Sequence, residues 1–175
     1  MTDLILRDAQ EDDREAIREI TLDAYRVYAP MMGPLWEFYQ KSILETLADV
    51  TPAEQIVAER DGAIVGAVLL YPAETVFHRP GGESATLAWP EFRLLAVAPA
   101  AQGMGIGAAL ATECIRRARQ SGAAVLTLHT TAMMQVAMDM YERMGFQHTP
   151  DLDFYPAPNV TVKGYRLVLD PAHST

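Results

Sequence analysis

Three alternating glycines are the residues whose type and spacing most clearly allow chemistry. Gly103, Gly105 and Gly107 follow an apolar run and precede a pattern typical of a helix. Because glycine has no Cβ, the backbone N–H groups of such a turn can converge on an anion. The positive end of the helix dipole adds attraction at the same place. The segment therefore predicts an anion cradle suited to phosphate, with a turn that uses glycine only for packing as the alternative.

Two common nucleotide motifs fit this loop poorly. A Walker loop requires Gly-Lys-Ser/Thr, and no lysine occurs here. A dinucleotide fingerprint fits formally as Gly103-x-Gly105-x-x-Ala108. That fingerprint needs a carboxylate after the next strand to hold a ribose, and residues 125–130 contain none. The pattern therefore favours neither of these two nucleotide folds.

The elements that must position the loop alternate irregularly between strands and helices. Period-two and period-3.6 apolar patterns predict six strands, at 4–7, 55–59, 63–71, 91–97, 125–129 and 163–169. They predict helices at 12–28, 36–48, 105–121 and 133–144. Residues 78–90 contain Pro80-Gly81-Gly82 and are predicted to be a loop, and a further strand could begin at Phe146. We expect one α/β domain over residues 1–175.

Composition and charge exclude several classes of protein. Residues 1–90 carry the whole net charge of −9, and residues 91–175 are balanced, so we expect no nucleic-acid partner. The longest apolar runs are too short to cross a membrane. The single cysteine, Cys114, and an acidic N-terminal stretch without a signal pattern predict a cytoplasmic protein. His78, His129, His148 and His173 have no metal-ligand spacing, so no metal is expected.

Two motifs in order resemble the GNAT superfamily of acetyltransferases. Gln102-x-x-Gly105-x-Gly107, directly after an apolar strand and a proline, is similar to that family's acyl-coenzyme A loop. Residues 134–146 are similar to its second motif, with Tyr141 and the final Gly145-Phe146 in place, although Met134 stands where the family usually has Asn. The opening residues 7–9 and the hairpin at 61–66 also match, so the resemblance covers residues 4–169.

The resemblance implies a fold and a co-substrate. The fold would be a central mixed, mostly antiparallel sheet whose strand before the loop is splayed from its neighbour, flanked by about four helices. Acetyl-coenzyme A would be the co-substrate, with its pantetheine arm along that strand and its pyrophosphate on the loop. These cofactor-binding roles would fall on Leu95, Ala96, Val97, Gln102, Gly103, Met104, Gly105, Ile106, Gly107 and Ala108, with Met134 beside them.

The resemblance also implies catalytic and substrate residues. Glu91 matches the base of a family subset, and Tyr141 matches a tyrosine that protonates the leaving thiolate; His129 is an alternative base. Tyr28 and Trp36 flank the loop that walls the acceptor pocket in this family. Each of these has a plainer alternative as a surface, packing or core residue.

The function implied is transfer of an acetyl group to a primary amine, on a small molecule or a protein, by direct attack in a ternary complex. A catalytically inactive acyl-coenzyme A-binding regulatory module is the alternative, and a homodimer is possible because dimers are frequent in the family. The presence of both Glu91 and Tyr141 favours the enzyme.

Overall fold

A computed structural model describes residues 3–78 and 82–170. Its described helices are α1 Arg14–Arg26, α2 Ala29–Met32, α3 Leu35–Ala48, α4 Ile106–Gln120 and α5 Gln135–Arg143. Its described strands are β1 Ile5–Asp8, β2 Glu54–Arg60, β3 Ala63–Tyr71, β4 Val76–His78, β5 Ser84–Thr86, β6 Glu91–Val97, β7 Val125–Thr131, β8 Gln147–His148, β9 Phe154–Ala157 and β10 Val160–Val168.

The predicted strands and helices are confirmed to within a few residues, and four short elements were missed, α2, β4, β5 and β9. Helix α2 was missed because Ala29-Pro30 resembles a helix stop, whereas Pro30 lies in the first turn of α2, where no N–H is needed. The strands β4 and β5 pair as a hairpin, with β5 inside the stretch predicted as a loop and β4 ending at its first residue. Their three residues each are too few to show alternation. Residues 79–81 of that predicted loop lie outside the described residues.

The chain divides into two compact units, and the first comprises Met1–Leu70 and Leu94–Cys114. Its strands run in the order β1-β2-β3-β6, and the pairs β1–β2 and β2–β3 are antiparallel. Ile17 of α1 packs with Val57 and Ala67, all nearly inaccessible to solvent, which fixes α1 on one face of the strands. At the edge of this unit Arg7 bridges Asp13 and Glu59 at 2.6 and 2.8 Å.

The second unit comprises Tyr71–Arg93 and Ile115–Thr175. Its strand β7 pairs in parallel with the first residue of β6, Glu91 with Thr127, and antiparallel with β10 along its whole length. The short strands β8 and β9 both pair antiparallel with β10. The sheet pairing is therefore mixed and mostly antiparallel, as predicted, with five helices rather than about four because α2 adds one turn.

Within the described ranges, no helix is both long and apolar enough to span a membrane.

Candidate functional site

The glycine loop has the backbone shape of an anion cradle. Gly103 and Gly105 adopt φ of 77° and 78°, in the left-handed region that other L-residues rarely adopt. A Cβ built on either glycine would meet nothing within 4 Å, so the space in front of the loop is open. The glycines are therefore required by backbone conformation, and the open space leaves room for a ligand.

The start of α4 leaves backbone donors beside this loop. The N–H of Ala109 donates to the carbonyl of Gly105, so the helical ladder begins there. The N–H groups of Ile106, Gly107 and Ala108 lie ahead of that first bond and have no partner within the helix. The N–H of Gln102, by contrast, points back to Pro99 in a tight turn. Among the predicted cradle amides, those from Gly103 to Ala108 therefore lie outside this turn.

The strand before the loop contains one residue of unusual conformation. Leu94 adopts φ of 50°, in the left-handed region that leucine rarely adopts. Beyond it, the carbonyl of Leu95 accepts a hydrogen bond from the Tyr25 hydroxyl at 3.3 Å, and the Gln102 side chain donates to the carbonyl of Val97 at 3.4 Å. Side chains from α1 and from the loop therefore hold the predicted pantetheine strand.

The two predicted substrate residues lie at the ends of one row of aromatic rings. The row runs Tyr28, Tyr25, Tyr39, Trp36, with successive ring centroids 6.3, 6.0 and 6.4 Å apart. Burial raises the pKa of Tyr28, and burial together with Tyr28 raises the pKa of Tyr39 to about 12. The phenols thus stay neutral at physiological pH. The Tyr25 hydroxyl bonds the carbonyl of Leu95, so the row touches the predicted cofactor strand through Tyr25 rather than through Tyr28 or Trp36.

Glu91 lies at the centre of a buried cluster in the second unit. Its side chain is only 1% exposed, and it accepts from Arg93 on one carboxylate oxygen and from His129 on the other, the latter at 2.9 Å. The hydroxyl of Thr127 lies 3.4 Å from the same oxygen as His129. The guanidinium of Arg93 also stacks 3.6 Å above the Phe77 ring. Both carboxylate oxygens are therefore engaged, as a buried charge requires.

His129 faces acceptors on both sides of its ring. Nδ1 is 2.9 Å from Oε2 of Glu91, and Nε2 is 2.9 Å from the carbonyl oxygen of Leu152. A carbonyl and an ionised carboxylate can only accept, so each ring nitrogen must donate a proton. With Glu91 ionised, only an imidazolium satisfies both contacts.

The electrostatics of the pair agree with that assignment. Burial opposes the charged form of His129, but the bonds to Glu91 and Leu152 outweigh it, so the pKa of His129 lies above its ordinary value. Burial would likewise raise the pKa of Glu91, but His129 and Arg93 outweigh it, so the pKa of Glu91 lies below its ordinary value. At neutral pH the two side chains form an ion pair.

Tyr141 is buried in an aromatic cluster of the same unit. Its ring meets Phe92 and Phe146 edge-on, with centroids 5.7 and 6.0 Å away. Because successive side chains of a strand point to opposite faces, Glu91 and Phe92 face opposite ways. Tyr141 therefore lies on the opposite face of the sheet from Glu91, and the structure does not bring these two predicted catalytic groups together.

Met134 marks the departure from the family motif. It is the N-cap residue of α5, half-buried, and it makes no side-chain capping bond. Asn at this position could cap the helix with its side-chain oxygen, whereas a thioether does so poorly. The contact that Asn would make in the family is therefore not replaced by a Met134 side-chain bond to this helix.

No group of three or more potential ligands among the described residues could hold a metal ion. His148 pairs instead with Asp153 at 3.0 Å, and His78 lies beside the Ser84 hydroxyl. His173, the fourth histidine, lies outside the described residues.

Sequence reasoning missed three contributors to these sites. Arg93 could have been found, because two residues after Glu91 on a strand is the same face. Tyr39 fits the helical stripe of the core, and only the tertiary contacts show its place beside Tyr25, whose hydroxyl bonds the carbonyl of Leu95. The carbonyl of Leu152 carries no signal in its residue type.

The chain matches a family profile and several known proteins. The profile of the Acetyltransferase (GNAT) family matches residues 14–146. A mycothiol acetyltransferase from Cellulomonas flavigena is 35% identical over 111 residues, which cover 61% of this chain and 30% of that protein. N-acetyltransferase 8F1 from Rattus norvegicus is 32% identical over 68% of this chain and 54% of its own length. The chain thus spans about a third of the mycothiol acetyltransferases that it matches.

Solved structures share the fold over nearly the whole chain. A GNAT family acetyltransferase from Brucella melitensis, crystallised in complex with acetyl-CoA, has a TM-score of 0.61 and 25% identity, covering 97% of this chain and 90% of that one. A GNAT family structure from Desulfovibrio desulfuricans has a TM-score of 0.69 and 20% identity, covering 96% and 100%.

Proposed function

Since this chain belongs to the acetyltransferase (GNAT) family, we propose that it transfers the acetyl group of acetyl-coenzyme A to a primary amine by direct attack in a ternary complex. The observation that carries the proposal is the loop at Gly103–Gly105, whose positive φ angles and open front face lead into the donors of α4. Acetyl-coenzyme A supplies the activated acyl group as a thioester. No metal is invoked.

The residues of the loop fit a diphosphate. Backbone amides at a helix N-terminus bind phosphate oxygens through charge-assisted hydrogen bonds, and left-handed glycines are what allow the amides to converge. The residues proposed to hold the cofactor are Leu95, Ala96, Val97, Gly103, Met104, Gly105, Ile106, Gly107 and Ala108, with Gln102 contributing through its side chain. Arg60, whose guanidinium lies 3.2 Å from the Met104 sulfur, adds positive charge beside the loop.

Glu91 and Tyr141 are proposed to move protons at different atoms. Glu91 is ionised, as a proton acceptor must be, and its lowered pKa makes it a weaker base than an ordinary glutamate. Tyr141 is proposed to donate its phenolic proton to the departing thiolate. The nitrogen and the sulfur are bonded to the same carbon in the tetrahedral intermediate, so two groups on opposite faces of the sheet cannot both reach it directly, and the proton of the amine is proposed to pass to the buried Glu91 through a water.

The aromatic row is proposed to contact the acceptor. Tyr28 and Trp36 are both partly accessible and present ring faces suited to the carbon skeleton of an amine or to its cationic head. The names of several similar proteins specify a nitrogen acceptor, among them a ribosomal-protein-alanine N-acetyltransferase from Brucella melitensis. Both small-molecule and protein amines are therefore included in the proposal, with a cytoplasmic location and a homodimer as further predictions.

The test is release of coenzyme A thiol with a panel of amines. The panel contains small alkyl and aromatic amines, amino acids, and peptides with either a free N-terminus or an internal lysine. Expected is amine-dependent thiol release with a matching acetylated product by mass spectrometry. The control is the same reaction with each amine replaced by its N-methylated tertiary analogue, which cannot give a stable amide.

The opposite outcome defines the alternative function. If calorimetry shows tight binding of acetyl-coenzyme A while no amine class gives turnover, the chain is an acyl-coenzyme A-binding module and the catalytic proposal is wrong. If neither binding nor turnover occurs in folded protein, the cradle assignment fails as well.

A further inference from the structure

We propose that His129 is a positioning residue that remains an imidazolium throughout the working pH range and thereby keeps Glu91 ionised and fixed, and that Gly164 makes this state possible. The inference rests on the proposed role of Glu91. It assigns no substrate contact to His129, which acts through the carboxylate that it holds.

Both nitrogens of the His129 ring face hydrogen-bond acceptors. His129 lies between the Glu91 carboxylate and the Leu152 carbonyl, at 2.9 Å from each. Its side chain is 19% exposed, so water competes weakly for either nitrogen. The bond from Arg93 favours the ionised form of Glu91, and beside an ionised Glu91 a neutral ring, with only one N–H, would leave either the buried carboxylate or the buried carbonyl facing a lone pair. Both neutral tautomers are therefore disfavoured by geometry.

The charged groups around the ring come from several elements. Glu91 and Arg93 of β6 present one anion and one cation, and Thr127 of β7 presents its hydroxyl to the same carboxylate. The ring of Phe154 on β9 covers one side edge-on, at 5.3 Å. The Leu152 carbonyl belongs to the 3-10 turn Pro150–Leu152. Glu91 is the charged group nearest the His129 ring, and Arg93 bonds the other carboxylate oxygen of Glu91 rather than the ring.

Gly164 allows the Leu152 carbonyl to lie close to the His129 ring. Gly164 of β10 is the register partner of His129 on β7. A Cβ built on Gly164 would lie 2.2 Å from the Cβ of Leu152 and 3.1 Å from its carbonyl carbon. Any other residue would have to push the turn away. The glycine is thus needed so that this turn can pack against β10 beside the His129 ring.

Two further contacts fix the same turn. The N–H of Gly164 donates to Asp153 Oδ1 at 2.8 Å, and the N–H of Thr149 donates to the Gly164 carbonyl at 2.8 Å. His148 holds the other side of Asp153. The turn is therefore fastened to Gly164 on both sides, and the carbonyl position is determined by the strand rather than by a mobile loop.

The first experiment reads the ring directly in the wild-type protein. Nitrogen-15 NMR of the histidine side chains distinguishes imidazolium from either neutral tautomer, with the His129 signal assigned by its loss in His129→Asn. Expected is a doubly protonated ring at pH 7.5, above the ordinary histidine value of about 6.5. A neutral His129 ring at that pH overturns the proposal, and no substrate or turnover is needed to see it.

The second experiment tests the role of the glycine. Gly164→Ala should displace the Leu152 carbonyl and raise the fraction of neutral His129 ring at a fixed pH about tenfold, the effect of one lost hydrogen bond to a charged donor. The matched control is Gly66→Ala, whose Cβ would meet Ile106, Leu110 and Ala96 at 3.0–3.1 Å in the other unit. An unchanged ring in folded Gly164→Ala, or an equal change in both variants, contradicts the role of Gly164.

The pH profile of kcat/KM then connects the ring to catalysis. The alkaline limb, where kcat/KM decreases as pH rises, should lie at lower pH in Gly164→Ala than in wild type. In Gly66→Ala it should lie at the same pH as in wild type. If wild-type protein turns over no amine, the proposed function fails while the NMR result still decides the state of His129. If the ring behaves as expected but the limb does not move, Glu91 does not depend on His129 for activity.

Discussion

The glycine loop and the Glu91 cluster are built in opposite ways. The loop is local: its backbone amides come from six consecutive residues, the last three of which begin α4. The cluster is assembled from residues 91, 93, 127, 129 and 152, and its tightest packing requirement lies at residue 164. One site presents backbone amides to an open space, and the other encloses a charge that it has already neutralised.

The difference teaches what each site can tolerate. The direction of backbone donors in a loop depends on φ angles. Substitutions of the side chain at Met104 or Ala108 should therefore change anion binding little, whereas substitution of a left-handed glycine strains the loop itself. A buried ion pair depends on all of its partners at once, because removing one leaves the other charged and unsatisfied. We therefore expect the cluster to be the more fragile of the two.

The largest effect should come from Glu91→Gln. The change leaves His129 and Arg93 without their anion, and we expect the free energy of unfolding to fall by about 3 kcal/mol, the lower end for a buried pair because Arg93 is partly exposed. Chemical denaturation measures it. The matched control is Glu59→Gln, which removes the partner of Arg7 in a half-exposed cluster and should cost less than about 1 kcal/mol. Equal losses would contradict the contrast between the sites.

The next effect concerns Tyr141 in the second motif, residues 134–146. This motif is contiguous in sequence, but Tyr141 is buried, as Glu91 is in its cluster. Tyr141→Phe keeps the ring between Phe92 and Phe146, so we expect an intact fold and unchanged cofactor affinity, with kcat lower by about tenfold to a hundredfold. Tyr165→Phe is the control, because it removes a phenol that donates to Glu142 in the same unit. Under conditions in which chemistry limits the rate, the same kcat in Tyr141→Phe as in wild type would make Tyr141 a packing residue.

The loop is best probed by two substitutions of equal shape. Gly105→Asp and Gly105→Asn impose the same strain at φ of 78°, and Asp and Asn tolerate that region best. Only the aspartate adds a negative charge where the diphosphate is proposed to lie. We expect at least tenfold weaker acetyl-coenzyme A binding for Gly105→Asp than for Gly105→Asn by calorimetry. Similar dissociation constants in the two folded variants would count against the cradle.

The smallest effect is a pH dependence of stability that only the cluster should show. The raised pKa of His129 means that its contribution is complete below its unfolded value near 6.5 and is lost as pH rises through the folded value. Wild-type protein should therefore lose stability on the alkaline side, by a fraction of what Glu91→Gln costs, while His129→Gln should lose less. Parallel stability curves for the two proteins would contradict the ion pair.

The loop and the second motif were predictable because their information is contiguous. The boundaries of β3 and β6 agree with the sequence pattern residue for residue, and α4 begins one residue after its predicted start. Glycine permits the left-handed conformation found at Gly103 and Gly105. The position of the loop could thus be predicted without a fold, and its role in cofactor binding stays a prediction.

The cluster could not be predicted in the same way. Glu91 and His129 were separate alternatives for one role, because nothing in the sequence shows that strand pairing places Thr127 opposite Glu91 and His129 two residues further on the same face. The carbonyl of Leu152 has no residue-type signal, and Gly164 looks like any strand glycine until its register partner is known. The left-handed conformation of Leu94 was also missed, since leucine rarely adopts positive φ.

The aromatic row has an optical consequence. Tyrosine emission overlaps indole absorption, so light absorbed by Tyr28, Tyr25 or Tyr39 is passed to Trp36, whose ring centroid is 6.4 Å from that of Tyr39. The chain has two tryptophans, and Trp89→Phe would leave Trp36 as the sole indole emitter. In that variant, fluorescence excited through tyrosine reports on the corner where α1, α2 and α3 meet. Trp36 is thus an intrinsic fluorophore at the place where the amine is proposed to bind.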